Sequence, residues 1–164
     1  VRTVVMSIKP EWVCKILTRE KILEARKILP KSDGPVRVLI YCSKGHPKIT
    51  MNNHGVEYFA YGTDRNYCFH DDLIEKEHVL NGKIVGEFVY YGIYKTVQFN
   101  YWRGEYDCNP TGACLKKLDL ELYGDRKPIH FIKIENLQVY GVPKELEEFN
   151  IKKAPQNFLY VDLN

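Results

Sequence analysis

Apolar positions along the chain follow two different periods. "RTVVMSI" near the N-terminus alternates and is rich in β-branched residues, which predicts a first strand. In "KPEWVCKILT", Pro10 suits a first helical turn, and Trp12, Val13, Ile16 and Leu17 recur at helical spacing, predicting a short amphipathic helix. "REKILEARK" (Arg19 to Lys27) reads as a strand of poor pattern, because alternation leaves ionic and aliphatic residues mixed on both faces. Beyond the breaker cluster "PKSDGP", the run "VRVLIYC" is apolar enough for a strand buried on both faces.

From Ser43 to Asn81 the pattern turns polar, with Asn52, Asn53, Gly55, Gly62 and Gly82 interrupting aromatic pieces such as "VEYFAYG". Residues 46–80 are read as an insertion or hairpin excursion that forms a satellite core rather than a lid. "GKIVGEFVYYGIYKTVQF" predicts one long strand or two, with Gly86 and Gly92 at bulges or bends. "NPTGACLKKLDLELYG" carries helix signals, with Thr111 as N-cap, Leu115, Leu118 and Leu122 on one stripe and Gly124 as the stop. "KPIHFIKIENLQVY" predicts a further long strand, "PKELEEF" a helical turn and "QNFLYVDL" a closing strand. The sum is a strand-dominated mixed α+β fold, a β-barrel of five to seven strands with two or three short helices, in a single domain spanning 1–164.

Composition narrows the class without naming a function. At 164 residues, 45% apolar and 27% charged, the chain matches a globular domain and not a disordered or fibrous one. No apolar run is long enough to span a bilayer and "VRTVVMSIKP" lacks a signal-peptide layout, so a cytoplasmic location with no membrane partner is expected. The net charge of +3 is unevenly placed: residues 1–50 hold 11 Lys/Arg against 4 Asp/Glu, and the remainder is acidic. A basic first third suits a surface that meets phosphate, although a solvated basic face reads the same way. Five cysteines, Cys14, Cys42, Cys68, Cys108 and Cys114, make no CxxC pair and are odd in number, so no disulfide framework is expected. Cys42 with His46, Cys68 with His70 and Cys108 with Cys114 are near neighbours, but the spacings match no zinc finger, and no metal or other cofactor is assigned.

Chemistry concentrates at Lys21, Glu24 and Arg26. Glu24 and Arg26 lie two apart on one strand face, and as an exposed edge pair they would contribute about 0 to 1 kcal/mol. In a cleft, the same pair costs several kcal/mol in desolvation unless partners or a ligand satisfy it. Lys9, after Ser7, could then join Lys21 and Arg26 around a phosphate while Glu24 accepts from a base or ribose. "FNYWRGEYDC" adds an aromatic and charged loop in which Trp102 reads either as a binding residue or as a plug for a barrel end.

Four segments in order resemble the ASCH domain of the PUA-like group: "MSIKPEWVCKIL", "REKILEARK", "VRVLIYCSKG" with "GKIVGEF", and the tail "KPIHFIKIENLQVYGVPKELEEF" with "KAPQNFLYV". The second matches a G-x-K-x-x-E-x-R signature at Lys21, Glu24 and Arg26, and departs from it where Arg19 replaces the glycine. The tail is similar to the small prophage-associated branch. The resemblance implies a PUA-like barrel with a cleft beside the first helix that receives single-stranded RNA or a modified nucleotide. It places Ser7, Lys9, Lys21, Glu24, Arg26, Gln156, Phe158 and Tyr160 near that cleft, where rings could stack on a base.

Two other readings stay open. One branch of the group is an amidohydrolase of acylated cytidine that uses a Lys, a Thr and a Glu, and other members are reported as ribonucleases. Lys21 matches that Lys, Glu24 stands where the nucleophilic Thr falls, and Glu105 is the nearest candidate for the third residue; a hydrolase of RNA or of a modified nucleoside would use these three. A Lys beside a carboxylate forms an ion pair rather than activating a hydroxyl, which favours binding over catalysis. The last reading is a prophage accessory protein whose cleft meets a host protein. Nothing in the sequence speaks to oligomeric state.

Overall fold

In the computed structural model, which describes residues 1–52, 55–60, 64–68 and 78–163, the alternating N-terminal segment forms strand β1 (Arg2–Ile8). Helix α1 (Pro10–Leu17) follows, with Pro10 in its first turn and Val13, Cys14, Ile16 and Leu17 buried. It ends where Thr18 leaves helical geometry and Arg19 takes a left-handed φ of 63°. The troubled segment is a strand only over its second half, β2 (Leu23–Arg26), all four residues of which are buried. Next comes β3 (Val36–Cys42), which pairs in parallel with β1. Its run is apolar except at Arg37, which pairs with Glu87 of a neighbouring strand at 2.6 Å, because both faces are covered: Val36, Val38, Ile40 and Cys42 enter one cluster, Leu39 and Tyr41 another.

The polar excursion forms strands β4 (Lys48–Asn52), β5 (Gly55–Ala60), β6 (Asp64–Cys68) and β7 (His78–Val79), ordered β6-β5-β4-β7 in a sheet of their own. Ile49, Met51 and Leu80 at its base join the main cluster with α1. The side chains of "VEYFAYG" and the pair Cys68 and His70 lie outside the described residues.

After β8 (Ile84–Tyr90) the chain bends at Gly92, whose φ is 98°, into β9 (Lys95–Val97). Gly86 sits at a register shift between β3 and β8, where a Cβ would meet the Gln138 carbonyl oxygen at 2.6 Å. A small hairpin pairs β10 (Phe99–Asn100) with β11 (Glu105–Tyr106). Helix α2 (Lys117–Gly124) starts six residues beyond the expected cap at Thr111. The intervening turn holds Gly112 at φ 94° and Cys114 at φ 57°, which no helix accepts, and the Asp119 carboxylate accepts the Lys116 N–H instead. The leucine stripe is also displaced: Leu118 and Leu122 are exposed and Leu120 is the buried one. Gly124 is the last helical residue, not the left-handed stop, which is Asp125. A Cβ at Gly124 would lie 1.8 Å from the Tyr106 hydroxyl, so packing demands the glycine.

The single long strand expected near residue 130 is two, β12 (Ile129–Lys133) and β13 (Glu135–Lys144), in different sheets. Between them Ile134 donates its N–H to the Ile22 carbonyl, and at the start of β13 Asn136 has a φ of 52°, so the chain turns from one sheet to the other. A 3-10 turn (Leu146–Phe149) precedes the closing strand β14 (Phe158–Val161). The main sheet runs β13-β8-β3-β1-β14 and a second runs β2-β12-β9. The fold is strand-dominated and mixed, with more strands than the five to seven expected because the excursion and several two- and three-residue pieces also pair. The described strands form open sheets, each with two edges. No helix among the described residues is long and apolar enough to cross a membrane.

Candidate nucleotide-binding cleft

Alternation in β2 sends Leu23 and Ala25 into the cluster formed with β9, β12 and α2. Glu24 and Arg26 therefore face the other way, toward β1. Strict alternation would put Lys21 with Leu23, yet Lys21 reaches the same side as Glu24. The backbone ahead of Leu23 makes this possible: the Ile22 and Leu23 N–H groups both donate to the Gly112 carbonyl, at 2.8 and 3.1 Å. Two residues opposite one acceptor is bulge geometry, and it turns Lys21 inward while leaving Ile22 exposed. Gly112 has to be glycine, because its φ is positive and a Cβ would stand 2.7 Å from Ile22 Cγ1.

The three charged residues meet in a cleft of about 630 Å³ between α1, β2 and α2. Glu24 lies in the middle. Its Oε1 accepts from Arg26 Nε at 3.1 Å, and its Oε2 is 3.9 Å from Lys21 Nζ, an ion pair too long for a hydrogen bond. Lys21 donates to the Ala113 carbonyl and sits 5.3 Å from the centre of the Trp12 ring. Only 2% of Lys21 is exposed. Burial is the largest influence on its ammonium and lowers the pKa, with the Glu24 carboxylate opposing.

Arg26 is committed to the protein. Besides Glu24, its Nη1 donates to Asn157 Oδ1 and its Nη2 to the Ser7 carbonyl, both at 2.7 Å. The Asn157 carbonyl in turn accepts the Ser7 N–H at 3.0 Å, and the Ser7 hydroxyl donates to the Pro155 carbonyl at 2.6 Å. Arg26 thus ties β2, β1 and the segment before β14 together at the floor of the cleft.

Two aromatic rings line the walls, Trp12 from α1 and Tyr123 from α2. The Tyr123 hydroxyl accepts the Lys27 N–H at 3.0 Å, and Lys27 Nζ lies 5.0 Å over its ring. Lys9 is exposed at the rim, and Gln156 also lines the cleft. The cleft therefore offers the buried Lys21–Glu24–Arg26 cluster at its floor, two further carboxylates in Glu11 and Asp119, and two π-faces.

Of the residues singled out from sequence, Ser7, Lys9, Lys21, Glu24, Arg26 and Gln156 line this cleft together. The other three do not. Phe158 packs against the main core, and Tyr160 accepts the Lys31 N–H at 2.8 Å while Arg2 lies over its ring. Glu105 sits on the β10–β11 hairpin, bound to Lys117 Nζ at 2.7 Å, away from the cleft. Trp102, at the tip of that hairpin, is 99% exposed and plugs nothing. Sequence reasoning misses Trp12, Lys27 and Tyr123, which line the cleft, and Asn157, which holds Arg26. Trp12 reads as core because it shares the helical period of Val13 and Ile16, and Tyr123 hides among exposed leucines. A usable signal for Trp12 is its place in the first turn of the helix directly after Lys9 and Pro10.

No protein-family model matches the chain, and no curated protein matches it in sequence. Its fold, by contrast, matches solved structures of the ASCH protein of Zymomonas mobilis. A tyrosine-to-phenylalanine variant of that protein superimposes with a TM-score of 0.59 at 14% identity, covering 99% of this chain and 92% of the other. A serine-to-alanine variant gives 0.57 at 15% identity over 98% and 89% of the two chains. The ASCH structure of the same organism gives 0.55 at 16% identity over 98% and 88%. At this identity the likeness establishes the ASCH fold over nearly the whole length of the chain.

Proposed function

We propose that this ASCH-fold chain binds single-stranded RNA or a nucleotide in the cleft between α1 and α2. The observation that carries the reading is the convergence, in one cleft of about 630 Å³, of Lys21, Glu24 and Arg26 with the rings of Trp12 and Tyr123. A volume of this order suits one nucleotide-sized group rather than a duplex. Lys9, Lys21, Arg26 and Lys27 outnumber Glu11, Glu24 and Asp119 among the lining residues by one charge, and the excess favours an anionic ligand. The rings supply faces on which an unpaired base stacks, a contact worth about 1–3 kcal/mol per base. Lys9 and Lys27 are the phosphate contacts in this reading, because Arg26 is already held by three protein acceptors.

The test is a titration with a single-stranded RNA of mixed sequence at several salt concentrations. Binding should weaken as salt rises, and Lys9→Ala with Lys27→Ala should weaken it further and reduce the salt slope by about 2. Binding that ignores both salt and the double substitution would count against the cleft. One observation favours hydrolysis as a second reading: a buried lysine with a lowered pKa beside a carboxylate is a donor–acceptor pair suited to general acid–base work. Incubation with an RNA pool and with acylated nucleosides separates the two, because turnover abolished by Glu24→Gln would establish an enzyme and absence of turnover a binder.

A further inference from the structure

The floor of the cleft contains an unclosed pair. Lys21 and Glu24 are each more than nine-tenths buried, yet Nζ and Oε2 stand 3.9 Å apart with no hydrogen bond between them. Lys21 uses one of its three N–H donors on the Ala113 carbonyl. Glu24 uses Oε1 on Arg26, and among the described residues no hydrogen bond reaches Oε2. A buried ammonium and a buried carboxylate this close would ordinarily shut into a direct contact of about 2.8 Å. Here each end is anchored from behind, Lys21 by a backbone carbonyl and Glu24 by an arginine that is itself pinned at Asn157 and Ser7. The protein holds the two groups apart.

A group that fits the gap must accept from Lys21 and donate to Glu24. A phosphate oxygen or a base carbonyl accepts only, and would face the carboxylate with like polarity. An exocyclic amine donates only, and would face the ammonium the same way. A hydroxyl does both from a single oxygen, and an oxygen about 2.8 Å from each group spans a 3.9 Å separation comfortably. We infer that the Lys21–Glu24 gap receives the 2′-hydroxyl of a ribose, so that the cleft distinguishes ribonucleotides from deoxyribonucleotides. Within a strand the 3′ oxygen is esterified, which leaves the 2′-hydroxyl as the sugar group able to both donate and accept.

The inference rests on the nucleotide reading of the cleft, and the experiment tests the two separately. The intact protein is titrated with a single-stranded RNA of mixed sequence, with DNA of the same sequence carrying deoxyuridine, and with the fully 2′-O-methylated RNA. The RNA is expected to bind at least about tenfold more tightly than the DNA, because loss of the hydroxyl leaves a buried donor and acceptor unpaired. The 2′-O-methyl strand, which accepts but cannot donate, is expected to bind like the DNA; this arm needs no variant and so does not depend on one folding. Glu24→Gln is expected to bring the RNA-to-DNA ratio to about twofold or less. Equal binding of RNA and DNA by the unaltered protein overturns this inference while leaving the proposed function standing. A preference for RNA that survives both Glu24→Gln and 2′-O-methylation assigns the discrimination elsewhere and also overturns it. Binding of none of the three strands overturns the nucleotide reading itself.

Discussion

Replacing Arg26 by alanine removes a guanidinium that is 8% exposed and donates to three acceptors on three segments: Glu24, Asn157 and the Ser7 carbonyl. Glu24, 5% exposed in the intact protein, then keeps Lys21 as its remaining ionic partner, at 3.9 Å. Removing one member of a buried pair costs about 3–5 kcal/mol, chiefly because the surviving charge is stranded. The Asn157 and Ser7 oxygens also lose a charged donor, which places the expected loss toward the upper part of that range. For a chain of this size the corresponding fall in Tm is roughly 6–20 °C. Urea unfolding followed by far-UV circular dichroism gives the free energy, and Arg26→Lys, able to satisfy fewer of the three acceptors at once, should fall between the wild type and the alanine variant. An Arg26→Ala protein within about 1 kcal/mol of the wild type would refute the reasoning and return Arg26 to the role of a free phosphate arm.

Other expectations follow from local geometry. Arg19 is exposed and left-handed where the resembling family carries glycine, so Arg19→Gly should raise stability by about 0.5–1 kcal/mol in a denaturant titration. Gly112→Ala combines a positive φ with a Cβ driven into Ile22; it should cost about 1–3 kcal/mol and loosen the bulge that aims Lys21. Lys21 also makes stability depend on pH. Burial lowers its folded pKa below the ordinary 10.5, so between that lowered value and 10.5 the unfolded chain binds more protons and stability rises with pH. Stability curves of the wild type and Lys21→Met, measured from neutral pH toward pH 10, should therefore diverge in favour of the wild type as pH rises, and parallel curves would contradict the assignment.

The parts of the fold legible in the sequence are those where one face or one run decides the outcome. β1, α1 and β3 follow directly from alternation, from a 3.6-residue stripe behind Pro10 and from a short, mostly apolar run between turn residues. The start of α2 was not legible, because Thr111 is a good cap on paper and the left-handed conformations of Gly112 and Cys114 are imposed by Ile22, Leu23 and Lys21, remote in sequence. The same contacts explain the mixed faces of "REKILEARK": half of it is strand and half is the bulge that delivers a lysine to the other side. Lys21, Glu24 and Arg26 could be found as a spaced charge motif. Asn157 could not, since its only distinction is that a guanidinium from far along the chain ends on its side-chain oxygen. Phe158 and Tyr160 alternate correctly on β14, but pairing with β1 places them opposite Met6 and Val4 rather than over the cleft.

Trp12 and Trp102 are the two tryptophans of the chain, and Trp102 is fully exposed on the hairpin. A Trp102→Phe protein therefore carries a single indole reporter, set in the wall of the cleft. Titrating that protein with single-stranded RNA at low salt, while following the fluorescence of Trp12, tests most directly whether the cleft is where the ligand goes. The account predicts a saturable quench whose midpoint moves to higher RNA concentration as salt is added and again when Lys9 and Lys27 are replaced by alanine. Binding seen by an independent method with no change in Trp12 emission would contradict it.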